Sequence, residues 1–264
     1  MSTVTTVETA KIQPIFRAAA RAEWTKIRSV PSTRWLPWAT VVLIAGVSAL
    51  VCAFVAKGQR REDGAEYDAF TLVHYGVNFG QMALVAFAVL AVAGEYGSGT
   101  IRSSLAAVPD RRVFAAAKLT VITAIGSVTG IVSSLSCTLL ARLVMPAGDI
   151  ALGSSDTWRT AFGHAAYLTL LTVLCAGAAF LLRTPMASMG LLMPLLFLGT
   201  AALTAIPGVR EVGRFLPDKA GQRIMRLRDF NAHEVDPWIG IGVMALWAVA
   251  AVVATMTVIR RRDA

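Results

Sequence analysis

The chain has 264 residues, of which 56% are hydrophobic and only 16% are charged. Soluble domains of this length are usually less apolar and more highly charged. The charges also collect into blocks, separated by stretches of about 20 residues that carry few or none, which is the length that crosses a bilayer. The composition therefore excludes a soluble globular class and predicts an all-α polytopic membrane protein.

Six apolar stretches are long enough to be membrane spans. They run over Trp35 to Ala56, Phe70 to Ala93, Leu119 to Leu140, Ala161 to Leu182, Met186 to Pro207, and Trp238 to Ile259. We divide the chain into residues 1–34, a cytoplasmic tail with an interfacial helix, and residues 35–264, a six-helix membrane domain. The two longest connections between spans, at 94–118 and 208–237, are the polar segments discussed below.

The net charge of +9 bears on orientation. A positive net charge can indicate a nucleic-acid partner, but in a membrane-spanning protein it follows from the excess of Lys and Arg in cytoplasmic loops. The segments on the side of both termini carry the larger share of these residues. We therefore expect no nucleic-acid partner, a multi-pass location in a plasma membrane of bacterial type, and both termini in the cytoplasm.

The N-terminal segment predicts an interfacial helix. Residues 1–13 are predicted to be disordered, and Pro14 suits the start of a helix that runs to about Val30. A basic stripe with one tryptophan adjoins an apolar face that Glu23 interrupts. The stripe is Arg17, Arg21, Trp24 and Arg28, and the apolar face is Phe16, Ala20 and Ile27. The stripe fits either contact with anionic lipid or a charged, solvated segment that precedes the first span. The glutamate in the apolar face favours a contact with protein as well.

The segment from Gly94 to Lys118 predicts a short amphipathic helix between the second and third spans. Ser98 or Thr100 can cap it, and Ile101, Leu105 and Val108 share one face. Pro109 and Asp110 then end this helix and begin the next, which carries Arg111, Arg112 and Lys118. We interpret the segment as a docking surface held against the membrane.

Four polar residues recur at helical spacing in the second predicted span. They are Thr71, His74, Asn78 and Gln81. Unpaired polar groups are costly in hydrocarbon, so this face should look into protein or into a water-filled cavity. Hydrogen bonding between helices and lining of a substrate route both remain open.

Later spans carry weaker signals. Gly126 and Gly130 have the GxxxG spacing that permits close helix packing. Pro194 interrupts the fifth span and predicts a kink, which suits either a moving element or a curved bundle.

Apolar residues among the charges of 208–237 predict one or two short amphipathic helices at the outer face, either as an exposed connection or as a charged cap over an exit path.

Motifs for chemistry are absent from the sequence. It contains no G-x-x-x-x-G-K-[ST] phosphate loop, no H-E-x-x-H, no paired-cysteine metal spacing and no G-x-S-x-G elbow. We expect no catalytic residue, no metal site and no ATP hydrolysis by this chain alone. Cys52, Cys137 and Cys175 all lie in apolar spans, where burial as small hydrophobes is the simplest interpretation.

Three stretches resemble the permeases of type-2 ATP-binding-cassette exporters. The sequence EYGSGTIRSSLAAVPDRRVFAAAK at Glu95 to Lys118 is similar to their cytoplasmic segment, with an acidic residue, a GTIR run, a proline-basic turn and a lysine. EWTKIRSVPSTRW at Glu23 to Trp35 resembles the segment that leads into their first span. GRFLPDKAGQRI at Gly213 to Ile224 resembles the outer segment before their last span.

The resemblance implies a transmembrane permease subunit that pairs with a second permease half, in a homodimer or a heterodimer, and docks a separate ATPase dimer. The partner ATPase, not this chain, would bind ATP and Mg. Glu95 to Val108 would be the coupling helix, and the 15–30 helix, with Glu23 and Trp24, a second contact. Spans two and five, with Pro194, would lie near the dimer axis, and the polar stripe of span two would face the partner half or the route between the halves. Membrane lipid is the remaining expected partner, and the resemblance does not name a cargo.

A different class of function also fits the sequence. A non-transporting membrane sensor or an immunity protein could use the same scaffold to bind a ligand. Retention of an ATPase by the purified chain would distinguish the exporter subunit from this alternative.

Overall fold

The structure, a computed structural model, describes residues 2–59, 68–108, 110–145, 150–199, 213, 215–227 and 236–261. Within these ranges the chain is helical and has no strand. The helices are α1 Ser2–Ser29, α2 Pro31–Gln59, α3 Ala69–Val73, α4 Val77–Gly97, α5 Ile101–Ala107, α6 Arg111–Val144, α7 Ser155–Leu182, α8 Pro185–Pro194, α9 Pro217–Gln222 and α10 Pro237–Arg261. A π-helical turn, Leu195–Gly199, follows α8, and a 3₁₀ turn, Arg223–Met225, follows α9.

Five of the described helices are long and apolar enough to cross a membrane. These spans are Pro31–Ala56 in α2, Val77–Gly97, Arg111–Val144, Ser155–Leu182, and Pro237–Ile259 in α10. The prediction of an all-helical, polytopic membrane protein agrees with this finding, but six spans are not established. The predicted fifth span is described only as far as Gly199, and its apolar helical run, Pro185–Phe197, is shorter than the other five.

Pro194 lies where α8 passes into the π-helical turn. Proline has no backbone N–H to donate to the preceding turn, and this loss favours a local change in helix type. The irregularity that the sequence predicts at Pro194 is therefore present as a widened turn. Residues 200–207 of the predicted span lie outside the described residues.

The N-terminal helix begins earlier than the sequence predicts. α1 starts at Ser2 and contains Pro14 in its interior, so the predictions of disorder over 1–13 and of a helix start at Pro14 were wrong. Proline removes one backbone hydrogen bond but has helical φ, so a helix can continue through it at a local cost.

The second predicted span is two helices rather than one. α3 ends at Val73, the chain turns at 74–76, and α4 begins at Val77. The turn lies against α2, where the Gly76 amide donates to Ser48 Oγ at 3.0 Å. A Cβ at Gly76 would overlap the Ile44 backbone, so the close approach requires glycine. The four polar residues therefore do not share one continuous helical face.

α4 and α7 form the centre of the bundle. More than half of each span is buried, whereas α2 and α10 are mostly exposed at the periphery. α6 packs along α7, and the GxxxG glycines lie in this contact. A Cβ at Gly130 would stand 2.8 Å from the Ala165 carbonyl oxygen, and one at Gly126 2.5 Å from Thr172 Oγ1. The packing interpretation of the two glycines is confirmed.

The short helices before α10 are present but buried. α9 and the 3₁₀ turn insert between α7 and α10, and Asp218, Gln222, Arg223 and Ile224 are all buried there. The predicted helices are thus found, and they pack into the bundle instead of lying exposed on it. Their location at the outer side of the membrane stays a prediction. Small residues explain the insertion: a Cβ at Gly221 would overlap the Tyr167 ring, and one at Gly163 would overlap Ile224.

Candidate functional site

α5 is a short amphipathic helix at one end of the bundle, which we call the α5 end. Gly99 precedes it with φ of +74°, a left-handed conformation that glycine adopts without strain. Ile101 is buried and Leu105 half-buried, whereas Arg102 is exposed. The predicted periodicity is therefore confirmed. Thr100 occupies the cap position but makes no side-chain cap hydrogen bond, so neither predicted capping bond is present.

Four buried or half-buried charges form a closed ring beneath α5, which we call the ionic ring. Its members are Glu23 of α1, Lys26 of α1, Glu95 of α4 and Lys118 of α6. Lys26 Nζ lies 2.7 Å from Glu23 Oε1 and 2.8 Å from Glu95 Oε1. Lys118 Nζ lies 2.9 Å from Glu95 Oε1 and also pairs with Glu23 Oε2. Each base thus contacts both acids.

The ring is formally neutral, which explains how it can lie inside the protein. Lys118 is only 2% exposed and Glu23 likewise 2%. Isolated ions are expensive to bury, whereas paired and hydrogen-bonded ions are tolerated. Both ammonium groups also lie over the Phe114 ring, at 5.7 Å for Lys26 and 5.4 Å for Lys118.

The ionic ring is bonded to α5. Lys26 Nζ donates to Ser104 Oγ at 2.9 Å, and Lys118 Nζ donates to the Ala91 carbonyl at 3.3 Å. α1, the end of α4, α5 and the start of α6 are therefore tied together at one point. Glu95 Oε2, which is buried, has no hydrogen-bond partner in the described part of the chain.

The partners of Lys26 keep it charged. Burial lowers the pKa of this ammonium, but the hydrogen bonds and charges of Glu23 and Glu95 outweigh burial and raise the pKa above 10.5. A raised pKa means that the folded state holds the proton more tightly than the unfolded chain. The contribution of Lys26 to stability is therefore full at neutral pH and is lost only as the pH rises through the folded pKa, above 10.5.

The structure places the predicted docking residues in two groups. Glu23, Glu95 and Lys118 face inward in the ionic ring. The protein contact predicted for Glu23 is therefore a contact within this chain. Trp24, Thr100, Arg102 and Arg112 are exposed, and Arg111 is half-buried. Asp110 caps α6 by accepting from the Arg112 and Val113 amides. Pro109 lies outside the described residues.

A cleft opens between α1 and α5 above the ionic ring. Its volume is about 250 Å³, and its lining includes Ala22, Ala107 and the ring member Lys26. Small residues on both helices keep it open. A side chain from outside could therefore reach the one ring member that is substantially exposed.

The opposite end of the bundle holds a buried histidine pair. His74 Nδ1 and His164 Nδ1 are 2.9 Å apart, and His164 Nε2 is 3.0 Å from Ser133 Oγ. The Ser133 hydroxyl also donates to the Gly130 carbonyl at 3.1 Å. Three helical segments are joined by this chain of bonds.

Gln81 belongs to a second buried network. Tyr167 Oη lies 2.6 Å from Gln81 Oε1 and 2.7 Å from Asp218 Oδ1, and Gln222 Nε2 donates to the same carboxylate oxygen at 2.7 Å. The network joins α4 and α7 to α9. The other two residues of the predicted stripe bond locally: Thr71 donates to Asp68 Oδ2, and Asn78 donates to the Tyr75 carbonyl.

These contacts favour interhelical bonding over a substrate route for His74 and Gln81. Both side chains are buried within one copy of the chain, and their polar atoms form hydrogen bonds with residues of α7. Their partners His164, Tyr167 and Asp218 are not among the residues predicted above. A signal for the first two was available, because Thr157, Thr160, His164 and Tyr167 recur at i, i+3, i+7 and i+10 at and just before the fourth predicted span.

No group of three or more His, Cys, Asp or Glu side chains that could hold a metal ion occurs among the described residues. The chain matches no protein-family model, and the search of curated proteins likewise found no match.

Proposed function

We propose that this chain is the permease subunit of an ATP-driven exporter of the type-2 ATP-binding-cassette class. In this proposal α5 lies in the cytoplasm and contacts a separate ATPase dimer, which supplies ATP, Mg and hydrolysis. A second permease half completes the pathway. The sequence resemblance at Glu95 to Lys118 motivates the proposal, and the geometry of α5 supports it.

The observation that carries the proposal is the triple bonding of Lys26. Its ammonium contacts Glu23 in α1, Glu95 at the end of α4 and Ser104 in α5. A transmitter must be attached firmly to the spans that it moves, because packed elements pass on displacement as rigid bodies. A seven-residue helix would be too short to be stable by itself. The ring supplies the attachment.

The outer face of α5 suits an acidic partner surface. Arg102 on this face and Arg112 at the start of α6 are exposed, while the acids Glu23 and Glu95 are already paired in the ring. Complementary charge fixes the register of two docking surfaces and raises their association rate. The cleft between α1 and α5 gives the same face a concave feature.

Copurification tests the proposal. The full chain, tagged and expressed in its own host, should elute with an ATP-binding-cassette ATPase in a fixed ratio and with ATP hydrolysis. An ATPase whose phosphate-loop lysine is changed to alanine is the matched control: it should still coelute but should not hydrolyse ATP. Separate elution with and without nucleotide would contradict the proposal and would favour a non-transporting membrane protein.

A further inference from the structure

An open groove lies between α1, α2 and α6. Its volume is about 520 Å³. The α2 wall runs from Thr33 to Val41, and the α6 wall from Ala124 to Val132. At a rise of 1.5 Å per residue, each wall is about 12 Å long. The two helices both lead away from the α5 end, so the groove begins there and extends towards the middle of the bilayer.

The two ends of this groove differ in chemistry. The inner part is lined by side chains such as Val41, Ile125 and Val128. Arg28 and Arg34 stand among the residues at the α5 end, together with Trp24 and Trp38. Both tryptophans are about half exposed, at 48% and 60%. Tryptophan and arginine at the edge of an apolar surface are typical of the headgroup layer.

The guanidinium groups are free to bind an anion. In the described part of the chain neither Arg28 nor Arg34 has a carboxylate partner, and Arg34 lies over the ring of its neighbour Trp35 at 5.5 Å. None of the described residues that line the groove is acidic. A phosphate would therefore find two donors, whereas the amine of a zwitterionic headgroup would find no acidic partner.

We propose that this groove binds one anionic phospholipid from the leaflet at the α5 end. The phosphate lies on Arg28 and Arg34, and an acyl chain lies between α2 and α6. A second copy of the chain fits less well, because a twofold interface across the groove would bring the same arginines of both copies together. The site does not depend on the proposed function, since any membrane protein with these residues would have it.

Native mass spectrometry of the full chain tests the site. The protein is purified in detergent with equimolar phosphatidylglycerol and phosphatidylcholine, and the lipid that remains bound is counted. We expect one retained phosphatidylglycerol. The double variant Arg28→Gln/Arg34→Gln should reduce its retention relative to phosphatidylcholine by about tenfold or more, as expected for loss of two cations near an anionic headgroup.

Two controls separate a built site from diffuse attraction. Arg102→Gln/Arg112→Gln removes the same charge from exposed positions at the α5 end outside the groove and should leave retention within a factor of about two, because it touches no lining residue. Ala124→Leu fills the apolar part without changing charge and should also lower retention, whereas Ala250→Leu, on the exposed face of α10, should not.

Three results would overturn the proposal. Equal retention of the two lipids would show that the arginines do not select an anion. An equal loss with Arg102→Gln/Arg112→Gln would show that only surface charge matters. A lipid-free dimer that Ala124→Leu converts to monomer would show that a second copy fills the groove.

Discussion

Lys118→Met should lower the free energy of unfolding by about 3–5 kcal/mol, because it removes one partner from a buried ion pair and leaves charge uncompensated. Glu23 and Glu95 would then share Lys26 alone, and Lys26 is 39% exposed at its side chain whereas Lys118 is 2% exposed. The bond from Lys26 to Ser104 of α5 would remain, but Glu23 and Glu95 would lose their bonds to α6. Unfolding of the purified chain in mixed micelles, followed by far-ultraviolet circular dichroism, measures the loss.

The matched control is Arg112→Met, which removes the same charge from an exposed position of the same helix. Its effect should stay within about 0.5 kcal/mol of wild type, as for most exposed substitutions. The double variant Glu23→Gln/Lys118→Met should be more stable than Lys118→Met alone, because it removes one acid together with one base and leaves fewer charges unpaired. Equal stability of Lys118→Met and Arg112→Met would show that the ionic ring does not hold α5.

Arg102→Glu should weaken binding of the partner ATPase by at least about tenfold, equivalent to about 1.4 kcal/mol. Arg102 is exposed on the outer face of α5 and does not take part in the ionic ring. Reversal of its charge replaces an attraction with a repulsion across the proposed interface, while the spans and their packing stay intact. Coelution of the tagged chain with the ATPase, and its unchanged helical content, are the two measurements.

Lys219→Glu provides the control for charge reversal. Lys219 lies on α9, at the end of the bundle opposite α5, where a cytoplasmic ATPase could not reach it in the proposed topology. This variant should coelute with the ATPase as wild type does. If the Arg102→Glu variant also coelutes with the ATPase as wild type does, α5 is not the docking element, even if the wild-type chain binds the ATPase.

Local patterns in the sequence were enough to predict the long helices and α5. The spacing of Ile101 and Leu105 produces the buried face of α5 directly, and Gly126 with Gly130 marks the α6–α7 contact. Both features arise within one helix and depend only on its period.

Features that depend on distant pairing could not be read from the sequence. Glu23 and Lys118 are 95 positions apart in the sequence. The residues next to Glu23 do not show whether it is exposed for docking or buried in the ionic ring. The break after Val73 likewise depends on contact between Gly76 and α2. For the same reason the partners of His74 and Gln81 appeared only in the folded chain.

The side of the membrane on which α5 lies tests the account most directly. Cysteine labelling is suited to the measurement because the native cysteines Cys52, Cys137 and Cys175 are all buried. Ser103→Cys places a thiol on the exposed face of α5, and Leu152→Cys places one on the connection at the opposite end. A maleimide that cannot cross the membrane should label Leu152→Cys in intact cells and Ser103→Cys only in inside-out vesicles. Labelling of Ser103→Cys in intact cells would contradict the account, because no cytoplasmic ATPase could then contact α5.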